Sequence, residues 1–354
     1  MSSPSRIPLI CAVGLCMAGG DALAANFCVS TSAELTQALA TASSNNVADE
    51  IRLQTGVYRS TQSSGFTASH SGSSLVISGG WSSGCVFRRP GTRSTIDGEY
   101  QRTALRLQGN ITGVVKVRIA HLSFRRGVEN DIAAVSVKSS GVGSLDAEIE
   151  DNRFHDNTLI ATEETIGGGL DVSGRQVSVF GNEFTENHAG YSGGAGAMDC
   201  YGGLGAFTNN TVVRNTAAFG QPNVHGGVIL VGSCLWEVAN NVFWDNEGYD
   251  LWIENDKATL RNNDLDDLEG TPTAGSSGNI NVDPQFVSVG ILRLTRGSPL
   301  VDAGFNETLL GLPLRSFDGG IRVAGPRIDI GAYELDVLFQ TGFDPAFGFG
   351  VPAE

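Results

Sequence analysis

The chain has 354 residues, a formal net charge of −15 and a pI near 4.7, with 17% of residues charged and 41% hydrophobic. Lysine occurs only at Lys116, Lys138 and Lys257, which argues against a nucleic-acid partner, since non-specific affinity comes from neutralising phosphates. The apolar share excludes a disordered chain. The 47 glycines among Asn, Ser, Thr and Val exclude a helical bundle and predict many short strands separated by turns.

Residues 1–24 read as a secretory leader. Arg6 gives a positive start, the stretch from Ile7 to Ala18 is largely apolar, and Ala22-Leu23-Ala24 offers a small-residue cleavage site, placing cleavage between Ala24 and Ala25. The apolar run is too short to span a bilayer comfortably, and no later stretch is long enough for a membrane helix. The expected location is therefore extracellular or on the outer cell surface. Cys28, Cys85, Cys200 and Cys234 remain after removal of the leader. An even count in an exported chain favours disulfides, and sequence order suggests Cys28–Cys85 and Cys200–Cys234. Three connectivities are possible, with free buried thiols as the alternative. No Cys or His pair has zinc-ligand spacing.

An N-terminal cap is expected over residues 25–50. Thr31-x-x-Glu34 forms a capping box, after which Leu35, Ala38, Leu39 and Ala42 share one helical face. The strand Ile51–Leu53 then opens a repetitive region, residues 51–285. One pattern recurs there: an apolar strand residue, then Asn, a large apolar residue, and a second Asn. It reads Ile149-x-x-Asn152-x-Phe154-x-x-Asn157, then Val179-x-x-Asn182-x-Phe184-x-x-Asn187. Phe207-x-x-Asn210-x-Val212-x-x-Asn215 and Val238-x-x-Asn241-x-Phe243-x-x-Asn246 follow. Leu260-x-x-Asn263-x-Leu265 is a weaker copy, and Ile119-x-x-Leu122-x-Phe124-x-x-Gly127 lacks both Asn residues. The middle apolar positions are 30, 30, 28, 31 and 22 residues apart. Apolar residues within each unit alternate, as strands require. With no helix in the period, such strands wind into a solenoid with about 4.8 Å between coils. Asn tolerates a left-handed bend and can hydrogen-bond to its counterpart in the next coil. Asn152, Asn182, Asn210, Asn241 and Asn263 are thus expected to form a structural turn ladder.

These repeats resemble those of right-handed parallel β-helix proteins with the pectin-lyase fold. The Phe-x-x-Asn motifs at Phe154, Phe184 and Phe243, with Gly-Gly at 168–169, 193–194 and 226–227, are also similar to the repeats of chlamydial polymorphic outer-membrane proteins. The resemblance implies an all-β, right-handed parallel β-helix with a short capping helix and a C-terminal cap. It leaves function open, because this fold hosts lyases, hydrolases, adhesins and phage spikes. Residues 286–335 carry Gly297-Ser298-Pro299-x-Val301-Asp302-Ala303-Gly304 and, later, Ile328-Asp329-Ile330-Gly331-Ala332-Tyr333-Glu334. This series resembles the C-terminal region of choice-of-anchor Q proteins and would form the C-terminal cap. Residues 336–354 are a tail.

The strongest chemical candidates are Asp171 and Asp199, each 13 residues before the repeat apolar residue of its coil, Phe184 or Val212. That count puts both carboxylates outward on adjacent coils, close enough to raise one pKa or hold a calcium ion. No other cofactor and no metal cluster is expected. The resemblance to β-helix polysaccharide lyases implies a Lys or Arg base beside calcium-binding acids, and by the same count no lysine falls near the pair. Tyr201, Trp244 and Trp252 could stack on sugar rings. The reading is a monomeric, non-catalytic exported protein for adhesion or extended glycan binding. A polysaccharide lyase or glycoside hydrolase is the alternative.

Overall fold

The computed structural model describes residues 25–69, 73–109, 114–129, 133–139, 145–160, 166–217 and 224–335. The leader and its cleavage point at Ala24, like the tail, lie outside these residues. Among them the chain is almost entirely β, wound into parallel sheets of nine, eight, seven and four strands, with one antiparallel pair. One coil shows the path. Leu145–Glu150 lies in the nine-stranded sheet, Arg153–His155 in the seven-stranded sheet and Thr158–Leu159 in the four-stranded sheet. Leu170–Gly174 lies in the eight-stranded sheet, and Gln176–Phe180 begins the next turn of the nine-stranded one.

Alternation decides which side chains point inward. Leu145, Ala147 and Ile149 are buried while Asp146, Glu148 and Glu150 are partly exposed. The repeat phenylalanines stack along the axis: Phe124–Phe154 and Phe154–Phe184 have ring centroids 5.3 and 4.7 Å apart. One core runs from Val29 to Leu268.

The bends explain the asparagines. Along the first ladder each Asn donates its backbone N–H to the side-chain oxygen of the Asn one coil later: Asn152 N to Asn182 Oδ1 is 2.8 Å, Asn182 N to Asn210 Oδ1 2.9 Å, and Asn210 N to Asn241 Oδ1 2.9 Å. Asn263 continues the series, and Asn157, Asn187, Asn215 and Asn246 build a second ladder at the next corner. These Asn do not themselves adopt the left-handed conformation. The residue before each does: Asp151, Gly181, Asn209, Asn240 and Asn262 have φ of 52°, 66°, 57°, 58° and 49°. The bend divides its two demands between neighbouring positions, one supplying backbone chirality and the other hydrogen bonds. At the Gly-Gly strand starts the reason is close approach: a Cβ on Gly194 would lie 2.3 Å from the carbonyl oxygen of Thr216.

The helix Ser32–Ala42 carries the Thr31–Glu34 capping box and buries Leu35, Ala38, Leu39 and Ala42. A strand at Ala25–Val29, unpredicted from the sequence, precedes it and pairs with Asp49–Gln54 at the edge of the nine-stranded sheet. Disulfides join Cys28 to Cys85 and Cys200 to Cys234.

Residues 286–335 run back along the outer face of the seven-stranded sheet. Leu300 and Ile330 pack with Val242, Ala332 N–H donates to Thr211 Oγ1 at 3.0 Å, and the Tyr333 hydroxyl bonds Glu183. Farther along, Arg93 donates to the Phe317 carbonyl at 2.7 Å and lies over its ring.

Asp264 lies buried where this segment begins. Its Oδ1 accepts from Val282 N–H at 2.9 Å and its Oδ2 has no partner. Burial pushes its pKa up to about 7. The folded state therefore favours the protonated acid. That stabilisation is complete below the ordinary carboxyl range, falls as pH rises toward 7, and is gone above it. Asp264→Asn keeps the acceptor for Val282 and removes the charge. The variant should exceed the parent in urea stability at pH 8 by on the order of 2 kcal/mol, and by much less at pH 4.5. Parallel pH profiles for the two proteins would refute this assignment.

Candidate functional site

The three larger of the four parallel sheets offer outer faces that could take a ligand. That of the seven-stranded sheet is covered by the C-terminal segment. That of the nine-stranded sheet pairs its own charges: Arg118 with Glu148 at 2.7 Å, Arg175 with Asp146 at 2.5 Å and Arg261 with Glu237 at 3.3 Å. The outer face of the eight-stranded sheet has a different make-up. Two rows cross its coils there. One reads Arg106, Ser136, Asp171, Ala197, Ile229 and Trp252, and the other Gln108, Lys138, Ser173, Asp199 and Val231.

This register corrects the expected pairing. Asp171 stands beside Ala197, and Asp199 beside Ser173, so the two acids are two residues out of step. The count from Phe184 and Val212 fails because the turns differ. Only Arg175 separates Leu170–Gly174 from Gln176–Phe180, whereas residues 201–203 separate Gly196–Cys200 from Leu204–Thr208. The acids still sense each other: burial raises the Asp171 pKa, with Lys138 opposing and Asp199 adding to the rise. Burial also raises that of Asp199, helped by Glu254.

The same register corrects the reading of the lysines. Lys138 forms an ion pair with Asp171 and lies one coil before Ser173 and two before Asp199. Its side chain is 42% exposed against 11% for Asp171. A cation thus stands between the buried acid and solvent, and a direct calcium bridge between Asp171 and Asp199 loses its geometric basis.

The aromatic candidates divide. The Tyr201 hydroxyl contacts Ser173 Oγ on this face. Trp252 also lies here, with one ring neighbour, His225, at 5.4 Å between centroids. Trp244 does not line a binding face: it packs under the C-terminal segment against residues such as Val213, Leu292 and Phe286. Its strand belongs to the covered sheet, which removes it as a sugar platform.

Among the described residues, one trio of possible metal ligands gathers, His121, Glu150 and Asp151. Burial and the neighbouring Arg88, Arg93 and Arg118 push the His121 pKa down to about 2. That same positive field opposes a bound cation, so the donor set does not suit a metal ion.

Sequence reasoning missed a second group of side chains. His225 stacks on Tyr249 at 5.2 Å. Its Nδ1 lies 2.8 Å from Ser192 Oγ and its Nε2 2.6 Å from Glu269 Oε2. The three residues come from different coils, so no local spacing signals them.

Residues 133–288 match the family described as right handed beta helix region. No curated protein matches the chain. A solved structure titled as the crystal structure of pectate lyase Pel9A is similar at 14% identity, covering 88% of this chain and 96% of that one, with a TM-score of 0.40. Among the described residues no helix is long and apolar enough to cross a membrane. The stacked parallel sheets and the axial ladders make the fold a right-handed parallel β-helix, the architecture that the family match describes over residues 133–288.

Proposed function

We propose that this is an exported β-helix protein that binds an extended glycan along the outer face of its eight-stranded sheet. The observation that carries the reading is the polar group of Lys138, Asp171, Ser173, Asp199 and Tyr201 on adjacent coils, in which Lys138, Asp199 and Tyr201 are partly exposed over the buried Asp171 and Ser173, on a face that the C-terminal segment does not cover. Repeating coils present hydrogen-bonding groups about 4.8 Å apart, a spacing suited to a polymer lying across them. The paired cysteines support an oxidising, extracellular setting.

Lys138 favours a second reading, cleavage of an acidic polysaccharide. Proton abstraction beside a uronate carboxylate needs a base within reach and nearby charge stabilisation. Lys138 is paired with Asp171 and, two coils from Asp199, still acts on that acid's charge.

One experiment separates the two. The protein is incubated with a panel of acidic and neutral polysaccharides, with and without calcium. Binding is followed by calorimetry, and products by ultraviolet absorbance and chromatography. Binding without products, weakened about 10-fold or more in Lys138→Ala and Trp252→Ala, supports the first reading. Products lost in Lys138→Ala and Asp199→Asn support the second. Neither binding nor turnover across the panel would overturn both.

A further inference from the structure

The geometry points to a second site at the end of the same sheet: Ser192, His225 and Glu269 form a nucleophile–base–acid relay that hydrolyses small acyl esters, the acetyl ester of a sugar hydroxyl being the class that fits.

The relay has a defined direction. Ionised Glu269 only accepts hydrogen bonds, so His225 Nε2 carries the proton shared with it at 2.6 Å. In the neutral imidazole Nδ1 is then the acceptor, and the Ser192 hydroxyl donates to it at 2.8 Å. A hydroxyl bonded to the free nitrogen of a histidine, whose other nitrogen is held by a carboxylate, is the connectivity that activates a serine, here with the two ring nitrogens exchanged relative to the Ser-His-Asp triad.

The backbone holds this arrangement. Gly193 N–H and Gly194 N–H donate to the His225 carbonyl at 2.7 and 3.1 Å, tying the residues after Ser192 to the histidine one coil later. Glu269 pairs with Trp252 at the end of the eight-stranded sheet. The imidazole is flanked by the rings of Tyr249 and Trp252. Ion pairing alone would need only His225 and Glu269; it gives no role to a serine on the opposite nitrogen.

The chemistry balances. Ser192 Oγ bonds to the ester carbonyl carbon as its proton passes to His225 Nδ1. The ester C–O bond breaks, and that proton goes to the departing sugar oxygen. Water then attacks the acyl-serine, its proton passes to Nδ1, and Ser192 regains a proton as the carboxylic acid leaves. Ester and water become alcohol and acid with no other reactant.

The surroundings restrict the substrate. Ser192 is only 6% exposed, which disfavours long acyl chains. Tyr191, 50% exposed, lies next to it in the chain, and with Tyr249 and Trp252 it offers aromatic surface to a sugar ring.

The test uses the full chain with p-nitrophenyl acetate, p-nitrophenyl butyrate and a fluorophosphonate probe mapped by mass spectrometry. We expect acetate hydrolysis, a label on the Ser192 peptide, at least about a 100-fold loss in Ser192→Ala and about a 10- to 100-fold loss in Glu269→Gln, with butyrate turned over more slowly. Hydrolysis that survives Ser192→Ala, or a parent that neither hydrolyses acetate nor takes the label at Ser192, overturns the proposal. Equal rates on butyrate overturn the acetyl assignment. Labelling of the parent decides the matter if Ser192→Ala fails to fold. None of these outcomes depends on glycan binding at the Lys138 face.

Discussion

Replacing Arg322 by Met should release the C-terminal segment from the β-helix and cost about 3–5 kcal/mol, the range for stranding one partner of a buried ion pair. Arg322 is only 2% exposed. It donates to the Tyr333 carbonyl at 2.7 Å, to Asn209 Oδ1 and the Asp329 carbonyl at 3.2 Å each, and to the Gly331 carbonyl. Glu334 lies 3.4 Å from the same guanidinium. One side chain therefore closes the segment's last turn on itself and ties it to the bend at Asn209. Met fills similar volume but removes every one of these guanidinium bonds, and it leaves the Glu334 carboxylate with only the backbone N–H groups of Ala324 and Asp329 and no cation. The deficit should also depend on pH. Burial already pushes Glu334 up to about 7 with Arg322 working against it. Without the arginine its folded pKa rises further. Below 7 both proteins hold a neutral Glu334 and differ less; above 7 only the parent holds the carboxylate against a cation, so the gap widens. Urea unfolding at pH 5 and pH 8, with limited proteolysis to locate cleavage within residues 286–335, would check this. An unchanged midpoint and cleavage pattern would show that the segment is held by apolar contacts alone.

The solenoid was legible because its physics repeats. An inward Phe and a hydrogen-bonding Asn must recur once per coil, and the strands between them must alternate. Both constraints are printed along the sequence at Asn152, Asn182, Asn210, Asn241 and Asn263. Register on the opposite side of the coil was not. A count back from Phe184 or Val212 crosses a turn whose length is free to vary, and the two extra residues among Tyr201, Gly202 and Gly203 moved Asp199 from beside Asp171 to beside Ser173. The same slip hid Lys138. Ser192, His225 and Glu269 were invisible for a related reason: their proximity is set by stacking of coils, while their sequence separations of 33 and 44 residues match no local motif. The strand Ala25–Val29 was missed because it directly follows the apolar stretch read as a leader, which masks its alternation. Trp244 looked available because nothing in its own repeat announces that a segment some 50 to 90 residues later covers that face.

Asn210→Ala tests the ladder itself, and the divided bend sharpens the expected result. The substitution deletes the acceptor for Asn182 N–H and Nδ2, at 2.9 and 3.1 Å. It also deletes the donor to the Val179 carbonyl and to Asn241 Oδ1, both at 3.0 Å. All four bonds are buried, and water cannot replace them without opening the coil. With about 1–3 kcal/mol for each buried group left unsatisfied, and some relaxation between them, a loss of roughly 2–4 kcal/mol is expected. Gly at the same position should do no better than Ala. Residue 210 is not left-handed, so Gly offers no relief there and adds unfolded-state freedom. The contrast lies one residue earlier. Asn209 has φ 57°, and there Asn209→Gly should be more stable than Asn209→Ala by about 1–2 kcal/mol, the chirality cost of a Cβ in that conformation. Both Asn209 variants lose the same side-chain bonds to Arg322 and Asn240, so their difference isolates the backbone term. Urea midpoints for the four variants and the parent supply the comparison. A Gly advantage at 210 with none at 209 would mean that the left-handed residue and the ladder residue have been assigned in reverse.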